Sequence, residues 1–271
     1  WGKSVMHIIV CIKEIPDPEI PPDKFRIDPN ARRVIPPQGI APVMNPYDEK
    51  AVELGLRLKE KHSGKITVLT LGIPASVRVV KHALSMGADE GVVLADQGFE
   101  GSDSFGIAHI LTKAIQKIGN YDLILCGRQA ADWDEGLVGS IIAENLSLPL
   151  VTLVKDIELI EESLKVNRVS LDGYQTFSVP MPAIATVSNE VGRPRLPPGL
   201  GIISAARKQV PIWGARDIDP DPPRIGAGAV RRKLAKLFIP ERESQCEVLQ
   251  GETAAEAAIK LAKRLRESGV I

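Results

Sequence analysis

C-G-R-Q-A-A-D-W-D-E-G-L-V-G, residues 126–139, is the stretch from which the fold is inferred. A short apolar run, Y-D-L-I-L, precedes it at 121–125, and apolar residues recur after it at helical spacing: Leu137, Val138, Ile141, Ile142 and Leu146. This pattern predicts a strand, a polar loop and a helix, with Asp132 and Asp134 as candidate N-caps. Such a helix start can offer backbone N–H groups to a phosphate, although an ordinary strand-to-helix turn has the same spacing.

The same alternation extends along the chain on both sides of this stretch. Apolar runs of strand length at 6–12, 66–71, 92–95 and 150–154 alternate with helical patterns at 46–62, 75–86 and 104–118. Strands that alternate with helices of this length indicate βαβ units. The sequence therefore predicts an α/β fold, with a Rossmann-like, mostly parallel sheet and helices on both of its faces.

The carboxyl ends of the predicted strands carry the residues that a ligand of such a sheet would meet. They are Cys11 and Lys13 after the first strand, Leu71 and Gly72 after the second, and Gly127, Arg128 and Gln129 in the quoted stretch. Asn45 joins them as the predicted cap of a helix that has Pro46 at its first position. This convergence favours a nucleotide crevice over an ordinary turn.

Three segments depart from the alternation. Residues 13–43 are dense in proline and contain a predicted hairpin, so they form an irregular excursion. Short apolar runs between 155 and 187 predict small antiparallel additions and a last central strand. From residue 211 the chain becomes a largely irregular arm, followed by a helix at 253–268. We therefore expect a nucleotide-binding α/β domain at 6–210 and an extended C-terminal arm with a helix at 211–271.

The composition narrows the class of protein. Lys and Arg together number 34, as do Asp and Glu, so the chain has no net charge that would favour nucleic acid or an anionic membrane. No apolar run approaches the roughly 18 residues of a membrane span, so no membrane insertion is expected. The three cysteines are far apart, without metal-ligand spacing, and two of them end apolar strands. Buried, reduced thiols in a cytoplasmic protein are the interpretation we adopt.

The sequence offers no catalytic residue and no metal site. The scattered histidines have no ligand spacing, and no nucleophile motif is present. Asp132, Asp134 and Glu135 are a candidate acid–base cluster, but carboxylates at a helix start are more often caps. A nucleotide site without chemistry of its own is typical of a carrier.

Four blocks of sequence together resemble the β subunit of electron transfer flavoproteins, over nearly the whole chain to about residue 211. They are V-C-I-K-E-I-P-D (10–17), M-N-P-Y-D-E-K-A-V-E (44–53), A-L-S-M-G-A-D-E (83–90), and L-I-L-C-G-R-Q-A (123–130), the last followed by I-A-E-N-L-S-L-P-L-V-T (142–152). The resemblance implies a heterodimer in which an α subunit carries one FAD, while the β subunit binds AMP or a second FAD through its adenine-nucleotide-binding domain. The arm and last helix would pack on the α subunit.

The sequences C-G-R-Q-A and M-N-P-Y-D resemble most those of the electron-bifurcating members of the family. This resemblance implies FAD as the preferred ligand of the β site, with AMP as the alternative and NADH as a hydride donor. It also implies electron transfer between an NADH- or acyl-CoA-type dehydrogenase, such as an acyl-CoA dehydrogenase, and downstream acceptors. The chain would then be an electron carrier subunit, or at most part of an NADH-oxidising flavoprotein.

The resemblance assigns site residues by position. The expected nucleotide contacts are Cys11, Lys13, Asn45, Pro46, Tyr47, Asp48, Leu71, Gly72, Gly127, Arg128, Gln129, Ala130, Ala131, Asp132, Trp133, Asp134, Glu135, Gly136, Leu137, Val138 and Gly139. Trp133 stands where the family commonly has a small or acidic residue, and we expect it to stack on a ring. The family's partner-recognition segment aligns near 199–208, where Leu200 is the expected apolar anchor with Ile202 and Ile203 beside it.

Two alternatives remain open at this point. The first is a stand-alone adenine-nucleotide-binding module of the universal stress protein type, which would explain the sheet and crevice but neither the excursion nor the arm. The second is a structural β subunit that has lost its nucleotide, favoured by Trp133 and by the residues at 135–137.

Overall fold

The computed structural model describes residues 5–240 and 246–271. These divide into two units: one comprises the chain up to Arg26 together with Val34–Ala235, and the other comprises Ile27–Arg33 and Lys236–Ile271. Residues 241–245 of the predicted arm lie outside the described residues. The functional boundary that the sequence predicts at residue 210 stays a prediction.

The elements are as follows. The strands are β1 (His7–Ile12), β2 (Glu14–Ile15), β3 (Arg26–Asp28), β4 (Arg33–Ile35), β5 (Val43–Met44), β6 (Lys65–Leu71), β7 (Glu90–Leu94), β8 (Leu123–Gly127), β9 (Leu150–Ile160), β10 (Ser163–Ser170), β11 (Gly173–Pro180), β12 (Ala183–Val187) and β13 (Ile212–Trp213). The α-helices are α1 (Pro46–His62), α2 (Val77–Met86), α3 (Ser104–Ile118), α4 (Val138–Leu146), α5 (Gly199–Arg207), α6 (Ala215–Ile218) and α7 (Ala254–Glu267).

One large sheet organises the first unit, in the order β11-β10-β9-β12-β8-β1-β6-β7-β13. Every neighbouring pair from β9 to β13 is parallel, and β10 and β11 extend the sheet as antiparallel strands. The mostly parallel α/β sheet and the antiparallel additions that the sequence predicts are confirmed. The last predicted central strand is also confirmed, because β12 inserts between β8 and β9.

Alternate residues of the central strands face two separate cores, as the pleat of a sheet requires. In β1, Ile8 and Val10 pack in the core that contains α1 and α2, whereas Ile9 and Cys11 pack in the core that contains α3 and α4. The helices therefore cover both faces, as predicted. Because both faces are buried, the central strands are continuous apolar runs.

The segment after residue 210 differs from its prediction. The sequence predicts a largely irregular arm there, but Ile212–Trp213 pair with Val93 and Leu94 and add an edge strand to the large sheet. Two residues are too few for a periodic pattern, which explains why the sequence does not reveal this strand.

The second unit contains the predicted C-terminal helix. α7 begins after Thr253, whose hydroxyl accepts a hydrogen bond from Glu256 N at 3.2 Å, while the Glu256 carboxylate accepts one from Glu252 N at 3.0 Å. Arg264 forms an ion pair with Glu247 at 2.8 Å. The structure describes α7 in full, and none of its residues is buried.

Candidate functional site

The strand order reverses at the middle of the large sheet. From β1 the chain adds β6 and β7 on one side, and then returns to place β8 on the other side of β1. Ligands of open α/β sheets bind beyond the carboxyl ends of the strands at such a reversal. We therefore expect a ligand crevice, if the sheet has one, to be lined by the residues that follow β1 and β8, which are the two segments that the sequence singles out.

Asp48, in the first turn of α1, joins the ends of these two strands. One carboxylate oxygen accepts a hydrogen bond from Lys13 N at 2.7 Å, and the other accepts one from Gly127 N at 3.0 Å. The residue is only 6% exposed. This burial raises the pKa of Asp48 to about 7, although hydrogen bonds from Asn45, Lys13 and Gly127 oppose the increase. The arrangement fixes α1 at the floor of the crevice.

Asn45 occupies the N-cap position of α1, as predicted, but its side chain does not cap the helix. Its amide nitrogen donates to Gln129 O at 2.8 Å, and its amide oxygen accepts from Ala131 N at 3.2 Å. The expected capping bond is therefore wrong, because the amide binds the loop after β8. Asn45 is 1% exposed and positions that loop over the crevice.

The two aspartates proposed as caps of α4 have other partners. Lys13 Nζ lies 2.7 Å from an Asp132 oxygen, and Asp134 accepts a hydrogen bond from Gln129 Nε2 at 2.7 Å. α4 begins only at Val138, with Leu137 at the N-cap position. The prediction of Asp132 and Asp134 as caps is wrong, because both carboxylates hold the loop in place several residues before the helix.

The start of α4 is open to an anion. Within the described chain no side chain caps this helix and no protein acceptor bonds the N–H groups of Val138, Gly139 and Ser140; the first backbone bond is from Ile141 N to Leu137 O, at 3.0 Å. No carboxylate lies in its first turn. Unpaired N–H groups at the positive end of a helix fit a phosphate.

The remaining predicted residues lie at the same edge of the sheet. Leu71 ends β6, one position beyond the Ile12–Thr70 pair that joins β6 to β1. Gly72 N donates to Leu94 O at 3.0 Å, so this glycine connects β6 with β7. In the loop, the Arg128 guanidinium lies 5.3 Å from the centre of the Tyr47 ring.

The loop between β8 and α4 also carries an exposed aromatic side chain and a third bound carboxylate, that of Glu135. Trp133 is 47% exposed. The Glu135 carboxylate contacts the Ser104 hydroxyl and lies 3.2 Å from the Arg232 guanidinium. Neither Ser104 nor Arg232 was predicted for this site, and no motif spacing in the sequence connects them to it.

Comparisons with known proteins show the family of this chain. A family model described as the electron transfer flavoprotein domain matches residues 34–217. The electron transfer flavoprotein subunit beta of Thermoanaerobacterium thermosaccharolyticum is 37% identical over 267 residues, which cover 98% of this chain and 100% of that protein. The chain belongs to the electron transfer flavoprotein β-subunit family.

Other relatives carry more specific names. The caffeyl-CoA reductase-Etf complex subunit CarD of Acetobacterium woodii is 34% identical, with 98% of this chain and 100% of that protein covered. The acryloyl-CoA reductase electron transfer subunit gamma of Anaerotignum propionicum is 32% identical at the same coverages. The resemblance inferred from the sequence blocks is thus confirmed, and the protein is an electron transfer flavoprotein β subunit that functions in electron transfer.

The segment expected to recognise a partner of this β subunit forms α5. Its apolar side chains Leu200, Ile202 and Ile203 are 82%, 55% and 53% exposed. On its other side Ala205 is buried, and Lys81 Nζ donates to the carbonyl oxygens of Ala205, Ala206 and Lys208 at 2.6–2.8 Å. α2 therefore holds α5 so that its apolar residues project outward; their binding to a partner stays a prediction.

Two of the three cysteines lie side by side beneath the crevice. Cys11 and Cys126 are register partners on β1 and β8 and are 6% and 5% exposed, whereas Cys246 is exposed. All three thiols are free, and the predicted burial of the two thiols at the strand ends is confirmed. A hydrogen bond with Cys11, together with burial, raises the pKa of the Cys126 thiol.

We expect iodoacetamide to modify Cys246 in the native protein at least ~100-fold faster than Cys11 or Cys126, because only the accessible thiolate is nucleophilic. Peptide mass spectrometry of a time course measures this ratio. In the Cys246→Ser variant the native protein should take up almost no label, and full labelling should require denaturant. Equal rates at Cys126 and Cys246 would contradict the buried pair.

Among residues 5–240 and 246–271, no group of three or more His, Cys, Asp or Glu side chains is arranged to hold a metal ion. In the same residues, no helix combines the length and apolar character that a membrane crossing needs.

Proposed function

We propose that this β subunit binds FAD in the crevice between the ends of β1 and β8, with AMP as the alternative ligand. The observation that carries the proposal is the uncapped start of α4. The loop that leads into this helix is held in place by contacts with Asn45 and Lys13. The N–H groups of Val138, Gly139 and Ser140 would bind phosphate oxygens, and Arg128 would add positive charge. Trp133, which is 47% exposed, would stack on a ring of the ligand.

The proposal extends to the partners. An α subunit with its own FAD would complete a heterodimer, and the arm and C-terminal helix at 211–271 would pack on it. None of the residues of α7 is buried in this chain. Leu200, Ile202 and Ile203 would contact a dehydrogenase of the acyl-CoA type, in line with the names of two relatives. The buried, free thiols favour a cytoplasmic location.

Bound FAD would supply hydride and single-electron chemistry, with NADH as donor if the protein bifurcates electrons. The chain's own part is to bind and orient. Asp48 and Asn45 fix the floor and the loop of the crevice through four hydrogen bonds, all to backbone groups. No residue of the chain is assigned a catalytic role.

The nucleotide content of the purified heterodimer tests this function. The complex is denatured, and the released nucleotides are separated by chromatography and counted per heterodimer. Two FAD support a flavin in the β crevice, and one FAD with one AMP supports the alternative. One FAD and nothing else contradicts the nucleotide site and favours a structural β subunit. ATP hydrolysis by the isolated chain would instead favour the stand-alone module.

A carboxylate at the start of α4 should expel the nucleotide. We expect Leu137→Asp to lower nucleotide occupancy at least tenfold, since a negative charge about 4 Å from a phosphate costs on the order of 4 kcal/mol near a protein surface. Leu137→Asn is the matched control, because it has nearly the same shape without the charge. Equal occupancy in the two variants would place the phosphates elsewhere.

A further inference from the structure

Two different parts of the chain hold the loop of residues 127–137. Asn45 and Lys13 hold its first half through Gln129, Ala131 and Asp132. Its second half is held through the Glu135 carboxylate, which contacts Ser104 and Arg232. Glu135 lies between Asp134 and Gly136, which both have positive φ, +53° and +63°.

Glu135 is held by a group that we name the Glu135 clasp, which consists of Glu135, Ser104, Asp103 and Arg232. One oxygen of the Glu135 carboxylate accepts a hydrogen bond from the Ser104 hydroxyl, and the other lies 3.2 Å from Nη1 of Arg232. Ser104 is the first residue of α3, whereas Arg232 comes from the segment that follows α6. The clasp thus connects the loop to a distant part of the same unit.

Asp103 determines where Arg232 lies. One of its oxygens caps α3 by accepting from Phe105 N and Gly106 N at 3.0 and 3.1 Å, and the other accepts from Arg231 N and Arg232 N at 2.6 and 3.1 Å. A carboxylate that accepts hydrogen bonds from several backbone N–H groups holds those groups in fixed positions. These bonds fix the backbone at Arg232, so its guanidinium reaches Glu135 from an anchored position.

A neighbouring arginine provides an internal comparison. Arg231 shares the backbone bond to Asp103, but its guanidinium lies 4.7 Å from the centre of the Phe105 ring and faces α3 instead of the loop. The two adjacent arginines are therefore anchored in the same way, and they differ in what the side chain contacts.

We propose that Arg232 is a positioning residue that closes the second half of the loop over the bound nucleotide and so sets the rate at which the nucleotide is released. This inference rests on the proposed nucleotide site. Glu135 precedes the uncapped start of α4 by three residues, so loss of its contacts frees the chain that leads to the phosphate-binding N–H groups.

The test measures nucleotide release from the purified heterodimer after dilution, by flavin fluorescence for FAD or by chromatography of the released fraction for AMP. We expect Arg232→Ala to speed release about fivefold, the upper range for loss of one exposed ion pair. Arg231→Ala is the matched control and should release at the wild-type rate. The charge exchange Glu135→Arg with Arg232→Glu should restore slow release, whereas Glu135→Arg alone should not.

The outcomes separate this inference from the proposed function. Full nucleotide content with unchanged release in Arg232→Ala overturns the clasp and leaves the nucleotide site standing. Equal acceleration in Arg231→Ala and Arg232→Ala also overturns it, because the effect would then be a general loosening of the segment. A wild-type heterodimer that contains no nucleotide in the β subunit overturns both.

Discussion

Replacement of Gly127 by alanine is expected to destabilise the protein by about 3 kcal/mol, the upper part of the usual cost of overpacking. A Cβ at this position would lie 2.3 Å from an Asp48 oxygen, 2.8 Å from Tyr47 Cβ and 2.9 Å from Asp48 N. These atoms cannot yield easily, because two are backbone or Cβ atoms of α1 and the third is a buried carboxylate that bonds Gly127 N itself. Relief would require α1 to move away from β8. Urea unfolding of wild type and variant measures the loss.

Gly199→Ala is the matched control for this substitution. Gly199 is the first residue of α5, and a Cβ there would meet nothing within 4 Å. Since alanine has the higher helix propensity, this variant should be unchanged or slightly more stable. A loss below about 0.5 kcal/mol in Gly127→Ala would show that the start of α1 can move freely. The close approach that holds the crevice floor would then be wrong.

The sequence predicts those parts of the fold that depend on local signals. α3 spans Ser104–Ile118, as predicted, because Asp103 caps it through Phe105 N and Gly106 N and Gly119 ends it. The continuous apolar runs of the parallel strands are equally local, since burial on both faces demands them. The edge of the sheet at which the site lies follows from that alternation alone.

The bonds of the site could not be predicted in the same way. Asp132 has the residue type and the approximate position of a helix cap. The capping hydrogen bond, however, competes with every other partner that the fold brings to its carboxylate. Here the partner is Lys13, which is far away in sequence and meets Asp132 only because β1 and β8 are neighbours. Tertiary structure alone also brings together Glu135 with Arg232 and Cys11 with Cys126. No periodic pattern in the sequence indicates these contacts.

Asp48 is a case in which the residue was predicted but its electrostatics were not. The sequence places it in the first turn of a helix, where a carboxylate is ordinarily exposed and favourable. In the structure it is buried and accepts hydrogen bonds from the N–H groups of Lys13, which follows β1, and of Gly127, which ends β8. These backbone bonds make it structurally necessary, while its burial makes its charge costly.

The stability contributed by Asp48 should therefore fall as the pH rises. Its pKa in the folded protein, about 7, exceeds the ordinary value of 3.8, so the folded state holds more protons than the unfolded state between these values. The contribution is complete below the ordinary pKa, decreases as the pH rises towards 7 and is constant above it. Between pH 5 and 8, wild type should lose about 3 kcal/mol relative to Asp48→Asn, which cannot titrate there.

Urea unfolding at pH 5, 6, 7 and 8 gives the free energy of unfolding of both proteins. The substitution of an oxygen by an amide group has a cost that does not depend on pH, so it does not affect how their difference changes with pH. Asp96→Asn is the matched control, because hydrogen bonds from Ala215 N and Gly98 N lower the pKa of Asp96. The titration window of that group lies below the ordinary aspartate range, so the difference in unfolding free energy between Asp96→Asn and wild type should stay flat from pH 5 to 8.

A flat difference for Asp48→Asn as well would mean that Asp48 remains ionised throughout. The N–H groups of Lys13 and Gly127 would then outweigh burial, and the crevice floor would carry a full negative charge facing any bound phosphate.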